Sequence, residues 1–154
     1  MAEQRRGRKI AMTPEERDEF LRVQHTCRVA TVGADGAPHN SALWFVWDGE
    51  ALWLNSIVKS QRWTNLMRDP RVAILVDAAE AYFELQGCEL IGSVEAVGDV
   101  PRTAGDDPTL ATPERLFGEK YSGGAFVPDG RHAWLRLVPD KIVSWDFRKL
   151  AALS

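Results

Sequence analysis

The sequence predicts a mainly β fold: about seven antiparallel strands closed into a small barrel, with about three short flanking helices. Three observations point there. Short β-branched and aromatic runs recur between glycine-containing turns, most plainly around Gly33-Ala34-Asp35-Gly36 and Asp48-Gly49-Glu50. The longest extended stretch, residues 82–97, changes the parity of its apolar positions near Gly87, as a bulge or barrel corner requires. Closing such a sheet on itself is the simplest way to leave no bare edges.

Taken in order, residues 1–11 read as a flexible basic arm with almost no apolar anchor, dispensable for the fold. Residues 12–154 read as one domain. Thr13, Pro14 and Glu16 form a capping signature for a helix ending near Gln24 or His25. Residues 28–32 are a strand, residues 33–37 a turn, and Pro38 opens a longer strand through Trp47. After the turn at 48–50, residues 51–55 return. Residues 59–68 read as a helix stopped by Asp69-Pro70. The near-continuous apolar middle of 71–77 predicts a strand buried on both faces. Residues 101–108 are a polar loop. Thr112-Pro113-Glu114 looks like a second capped start, opening a helix to about Tyr121 that Ser122-Gly123-Gly124 ends. Two strands, 132–138 and 141–147, finish the chain.

The chain has 154 residues, with 45% hydrophobic and 27% charged, enough for a core that needs no disulfide or metal. A net charge of −3 argues against a dedicated nucleic-acid binder, which would normally be basic. The longest apolar run, residues 42–47, is far short of the ~20 needed to span a bilayer. The basic start is followed by no apolar stretch, so the expected location is cytoplasmic. Cys27 and Cys88 lack the paired spacing of a zinc site and read as buried thiols. His25, His39 and His132 lie in different elements, so no metal site is expected.

Three constellations could carry chemistry. In the first, a strand ending in Asn55-Ser56 meets a helix start through Lys59-Ser60-Gln61-Arg62. Lys59 and Arg62 beside the hydroxyl of Ser60 could cradle a phosphate; the alternative is a cationic surface loop with Ser60 as a helix cap. Either way both cations are expected to be exposed and to contribute little to stability. In the second, His39-Asn40-Ser41 bring polar groups to an otherwise apolar strand that runs on to Trp44. They could meet the edge of a planar heterocycle, or simply face solvent. The third is the set of six tryptophans, of which Trp63 and Trp145 are candidates to wall a flat ligand and the others read as core or interface. No side chain is singled out as a catalytic acid or base beyond His39 as a possible proton source.

Together, Arg28-Val29-Ala30-Thr31-Val32, the Gly33–His39 turn, Trp44-Phe45-Val46-Trp47-Asp48-Gly49 and the run from Lys59 to Ala73 resemble the pyridoxamine-phosphate-oxidase-like split-barrel superfamily. Within it, the chain resembles the flavin/deazaflavin (F-420)-dependent oxidoreductases of actinobacteria. The resemblance covers residues 13–98 well and 131–149 more loosely. Its most specific part is Asn65-Leu66 followed by Asp69-Pro70-Arg71-Val72.

It implies a split β-barrel of six to seven strands working as a homodimer, with coenzyme F-420 or FMN in a groove shared between subunits. It places Arg62, three before the Asn-Leu pair, on the cofactor phosphate, with Ser60 and Lys59 assisting. Asn55 and Ser56 would line the phosphate or ribityl path. His39, Asn40 and Ser41 would approach the ring, with Trp44 and Trp63 nearby. The activity implied is hydride transfer between the cofactor and a small unsaturated or quinone-like substrate. The C-terminal signature of a true pyridoxamine phosphate oxidase does not map onto Arg131-His132, so oxidation of a vitamin B6 phosphate is not expected. The rival readings are a non-catalytic protein of the same fold that sequesters flavin, haem or a tetrapyrrole, and a dimerisation domain with an empty groove.

Overall fold

The computed structural model describes residues 1–153. Ten principal elements follow one another as α1 (Pro14–Val23), β1 (Thr26–Val32), β2 (Pro38–Trp47), β3 (Leu52–Ile57), α2 (Gln61–Arg68), β4 (Arg71–Ala78), β5 (Gln86–Val97), α3 (Ala111–Phe117), β6 (His132–Leu137) and β7 (Lys141–Asp146). The strands run in the order β4-β1-β2-β3-β6-β5, and β5 pairs back onto β4, closing an antiparallel six-stranded barrel. β7 is the additional strand, lying on β5.

The helix starts follow local chemistry only in part. Thr13 and Glu16 make the reciprocal capping box at α1, where Pro14 occupies the first turn. Ser60 caps α2 by accepting from the Trp63 N–H at 3.1 Å. The expected cap at Thr112 is not used. A 3-10 turn at Pro108–Leu110, capped by Asp107, already winds the chain, and α3 continues from it without a side-chain cap. Past Phe117 the helix widens into a π turn, Gly118–Ser122, and Gly123 at φ +64° ends it. Gly118 is required there, because a Cβ would stand 2.0 Å from the Gly124 carbonyl oxygen.

The parity change near Gly87 has a different origin from a corner. Phe83 and Leu85 are outside the strand, since residues 82–84 form a 3-10 turn. From Cys88 to Glu95 the alternation is regular, with Cys88, Leu90, Gly92 and Val94 buried. The barrel is shaped instead at Gly92. There one edge of β5 passes from β7 (Gln86–Ile91) to β6 (Val94–Val97). Gly92 leaves room for the β6–β7 connection, because a Cβ would sit 2.9 Å from Leu137 Cδ1.

Two cores result. The main one fills the barrel with Val29, Phe45, Leu54, Ile74, Leu90 and Leu135 among its members, and α1 adds Phe20 and Leu21. The second lies on the outer face of β2, β3 and β6, where Trp53 and Trp134 are covered by α3 and the following turn. Residues 101–130 therefore build this second layer. Arg102, buried, pairs with Glu114 at 2.8 Å, and Glu114 also accepts from Trp134 Nε1 at 3.0 Å, tying α3 to the sheet.

The N-terminal arm is seated where no anchor was expected. Its anchors are polar: Gln4 both donates to and accepts from the Ser144 backbone at 3.0 Å, and Ala2 N–H donates to the Asp140 carbonyl. β7, as the extra strand, leaves an edge that the arm can bond; an apolarity argument cannot see such an anchor.

Candidate functional site

The ladder between β2 and β3 is short. It contains only Phe45↔Leu54, Val46↔Trp53 and Trp47↔Leu52. From Trp44 back to Pro38, β2 pairs with β1 alone, and from Asn55 to Ile57, β3 pairs with β6 alone. The two strands diverge, and α2 closes the inner side of the gap. This split collects most of the residues singled out above.

Arg62 is the centre of the inner side. Its residue exposure is 8%, so the expectation of an exposed cation is corrected: the first turn of α2 points Arg62 into the barrel end. Its Nε donates to Ser56 Oγ at 3.0 Å and its Nη1 to Ser41 Oγ at 2.8 Å. No carboxylate pairs with it among the described residues. Burial draws the guanidinium's pKa below its ordinary value. Beneath it, Asn65 is fully buried, donating to Thr31 Oγ1 at 3.0 Å and accepting from Gln61 Nε2 at 2.8 Å. Asn65 thus stitches α2 to β1, a structural duty.

The remaining candidates divide. His39 shares the inward parity of Ser41, and its Nδ1 is buried without a partner. Asn55 is half-buried, and its Oδ1 is likewise unpartnered. Asn40 has the opposite parity, is exposed and pairs across from Ala30, so it is not part of the inner site. Lys59 sits exposed in the turn before α2, separated from Arg62 by burial. Ser60 is spent on the helix cap and on the Ile57 carbonyl, to which it donates at 2.8 Å. Trp63 belongs to the main core at 6% exposure. Trp145 lies against Gly87, where a Cβ would come within 2.2 Å of its ring.

On the outer side, a groove of about 570 Å³ is lined by Leu43, Trp44, Asn55, Phe117, Phe126 and His132, with Asp129 at its rim. Trp44 stacks on Tyr121 with ring centres 4.3 Å apart and planes 5° from parallel. Tyr121 is itself fixed: its one hydroxyl proton is shared between the carbonyls of His25 and Phe45, and its oxygen accepts from the Phe45 N–H. Phe117, Phe126, Tyr121 and His132 were not singled out as ligand-facing residues. Their sequence neighbourhood carries no motif, and only the fold of 111–132 over the sheet brings them to Asn55.

Next to this wall, Lys120 Nζ donates to the carbonyls of Leu21 and Phe45 and lies 3.9 Å over the Phe45 ring. Burial pulls its pKa down to about 8. The unfolded chain, with an ordinary lysine near 10.5, binds more protons above pH about 8, so stability rises with pH from there. Above about 9 the buried Cys27 and Cys88 thiols, pushed up to about 12, act in the opposite sense. The unfolding midpoint in urea is therefore expected to rise between pH ~7 and pH ~9, and Lys120→Met to abolish that rise. A flat parent profile would count against the burial of this ammonium.

The family model described as Pyridoxamine 5'-phosphate oxidase matches residues 13–146, which contain every candidate residue above. The chain belongs to the pyridoxamine 5'-phosphate oxidase family. Among solved structures, a conserved hypothetical protein, Rv2991, from Mycobacterium tuberculosis is 32% identical, with a TM-score of 0.79 over 97% of this chain and 93% of that one. A structure described as an F420 reductase is 28% identical, with a TM-score of 0.62 over 82% of this chain and 94% of that one. The haem storage protein HutZ from Vibrio cholerae, 21% identical with a TM-score of 0.69 over 88% and 96% of the two chains, shares the fold. No curated protein matches the chain. No helix among the described residues is long and apolar enough to cross a membrane, and no cluster of metal-ligating side chains occurs among them.

The residues at the split fit a flavin-type cofactor. A buried guanidinium held only by two hydroxyls is costly unless an anion completes it, and Ser41 still has a proton to donate. The orphaned His39 Nδ1, on the inner parity of β2, and the orphaned Asn55 Oδ1, at the outer groove, are each free to meet a polar ligand group.

Proposed function

We propose that the protein is an oxidoreductase that binds coenzyme F-420, in preference to FMN, at the β2–β3 split and passes hydride between it and a small unsaturated or quinone-like substrate. The observation that carries this reading is Arg62, a buried cation without a carboxylate, waiting on a phosphate. The similarity to a structure described as an F420 reductase supports the choice of the deazaflavin. When bound, such a cofactor supplies the hydride-carrying ring carbon or nitrogen. Arg62, with Ser41 and Ser56, would grip the phosphate, and Lys59 would add charge from the solvent side. His39 would hydrogen-bond the ring edge, and the aromatic wall of the outer groove would keep water from the reacting face.

The active unit in this reading is a homodimer. The outer faces of β1, β2, β4, β5 and β7 carry Ala30, Ala42, Ala73, Leu75, Ile91 and Val143, all exposed or half-buried. A second copy would cover that face and complete the cofactor groove, burying above roughly 2,000 Å² in total.

The test is a titration of the cofactor-free protein with F-420, FMN and haem, followed by addition of a quinone to the complex with reduced cofactor, with the mass followed by sedimentation. Saturable binding, tighter for F-420 than for FMN, with consumption of the reduced cofactor by a dimer, is the expected result. Haem binding without cofactor binding would replace this reading with a sequestering protein, and a monomer would remove the shared groove.

A further inference from the structure

We propose that the Asp129–His132 pair is the proton-transfer device of the outer groove, and that the groove takes a flat conjugated carbonyl compound whose oxygen meets His132 Nε2. His132 opens β6, opposite Ile57 and one step diagonally from Asn55 on the same face of the sheet. Its Nδ1 lies 2.6 Å from Asp129 Oδ2, and its Nε2 has no partner among the described residues. Asp129 is held independently of that contact, because its Oδ1 accepts from the backbone N–H groups of Arg131 at 2.8 Å and His132 at 3.1 Å. Partial burial pushes the Asp129 carboxyl up, but those N–H groups and the imidazole outweigh it and hold its pKa below the ordinary value. The Asp129 carboxylate accepts a hydrogen bond from Nδ1–H, which leaves Nε2 as the nitrogen that exchanges a proton with a ligand.

The walls select the ligand class. Trp44, Phe117 and Phe126 offer flat aromatic surfaces, and their combination with the half-buried Asn55 amide and a single imidazole suits a ring with one or two oxygens. The hydride step rests on the proposed function. In it, a reduced flavin-type cofactor would supply a hydride to the substrate's β-carbon, the C=C π pair would shift to give the enolate, and a proton carried on His132 Nε2 would pass to the enolate. The imidazole then regains a proton from water. The net change is addition of one hydride and one proton across the double bond, balanced by two-electron oxidation of the cofactor.

An enolate is mimicked by a phenolate, so the pair can be tested without cofactor. The probe is 4-nitrophenol, whose ionised form absorbs visible light. The parent protein is expected to bind it saturably with enhanced phenolate absorbance. His132→Gln should bind about tenfold more weakly or worse and lose the enhancement, because a charge-assisted hydrogen bond is gone. Asp129→Asn, which keeps an oxygen for the two backbone N–H groups, should lose the enhancement while keeping its far-UV circular dichroism. Both variants should bind F-420 within about threefold of the parent, a difference below 1 kcal/mol. No nitrophenol binding by the parent, or unchanged binding by His132→Gln, overturns the proposal. Intact nitrophenol binding with no cofactor binding would leave the pair standing and instead remove the hydride-transfer reading.

Discussion

Replacing Arg62 by methionine is expected to weaken binding of F-420 or FMN about tenfold to a hundredfold while leaving the cofactor-free protein as stable as the parent, within about 1 kcal/mol. The two halves of this result have one cause. In the absence of an anion, the guanidinium is desolvated and satisfied only by Ser41 and Ser56. Its lowered pKa reflects that burial. A methionine of similar length fills the same space with no charge to desolvate, and Ser60 still caps α2. The lost hydrogen bonds to two serines and the removed desolvation penalty work against each other, so the melting temperature should hardly move. Phosphate, by contrast, loses a charge-assisted and potentially bidentate partner. Isothermal titration beside thermal unfolding separates the two. A variant that binds either cofactor as tightly as the parent would remove Arg62 from the site, and a large loss of apo stability would show that its structural bonds outweigh its desolvation.

Trp134→Ala should be among the most damaging single changes outside the barrel interior. The ring is fully buried and is met by Trp53, Phe117 and Phe126 at centroid distances of 6.3, 5.8 and 5.5 Å. Its Nε1 also donates to Glu114, the carboxylate that pairs with Arg102. Truncation leaves a cavity under α3 and strands part of that network, at a cost of about 3–5 kcal/mol. For a chain of this length that corresponds to roughly 10 °C or more in melting temperature. Because α3 and the turn after it wall the outer groove, 4-nitrophenol binding should fall with it. Trp44→Ala, at a position half open to solvent, should cost far less in urea unfolding while still removing one wall of the groove. Equal stability losses in the two variants would contradict the assignment of Trp134 to a second core.

Local chemistry in the sequence was enough for the parts of the fold that are themselves local. The Thr13–Glu16 box, the Ser60 cap and the Gly36 and Gly49 turns act within a few residues, and each appears where its residues place it. The resemblance of residues 13–98 to split-barrel proteins pointed to residues 55–62 as a candidate phosphate segment, and Ser56 and Arg62 do come together there. What local chemistry could not determine was exposure. Arg62, Lys59 and Ser60 are neighbours in sequence, yet one is buried, one exposed and one occupied as a cap. That division follows from the point at which the β2–β3 ladder stops, and a ladder's length depends on partners from β1 and β6 that lie far away in the chain. The same holds for the outer groove. Asp129 and His132 carry no motif, and they become a candidate pair only because β6 is registered against β3 and the segment before it folds over the sheet. Short-range spacing reports caps, turns and periodicity. Desolvation, which decides which charge needs a ligand and which imidazole faces one, is a property of the whole tertiary enclosure.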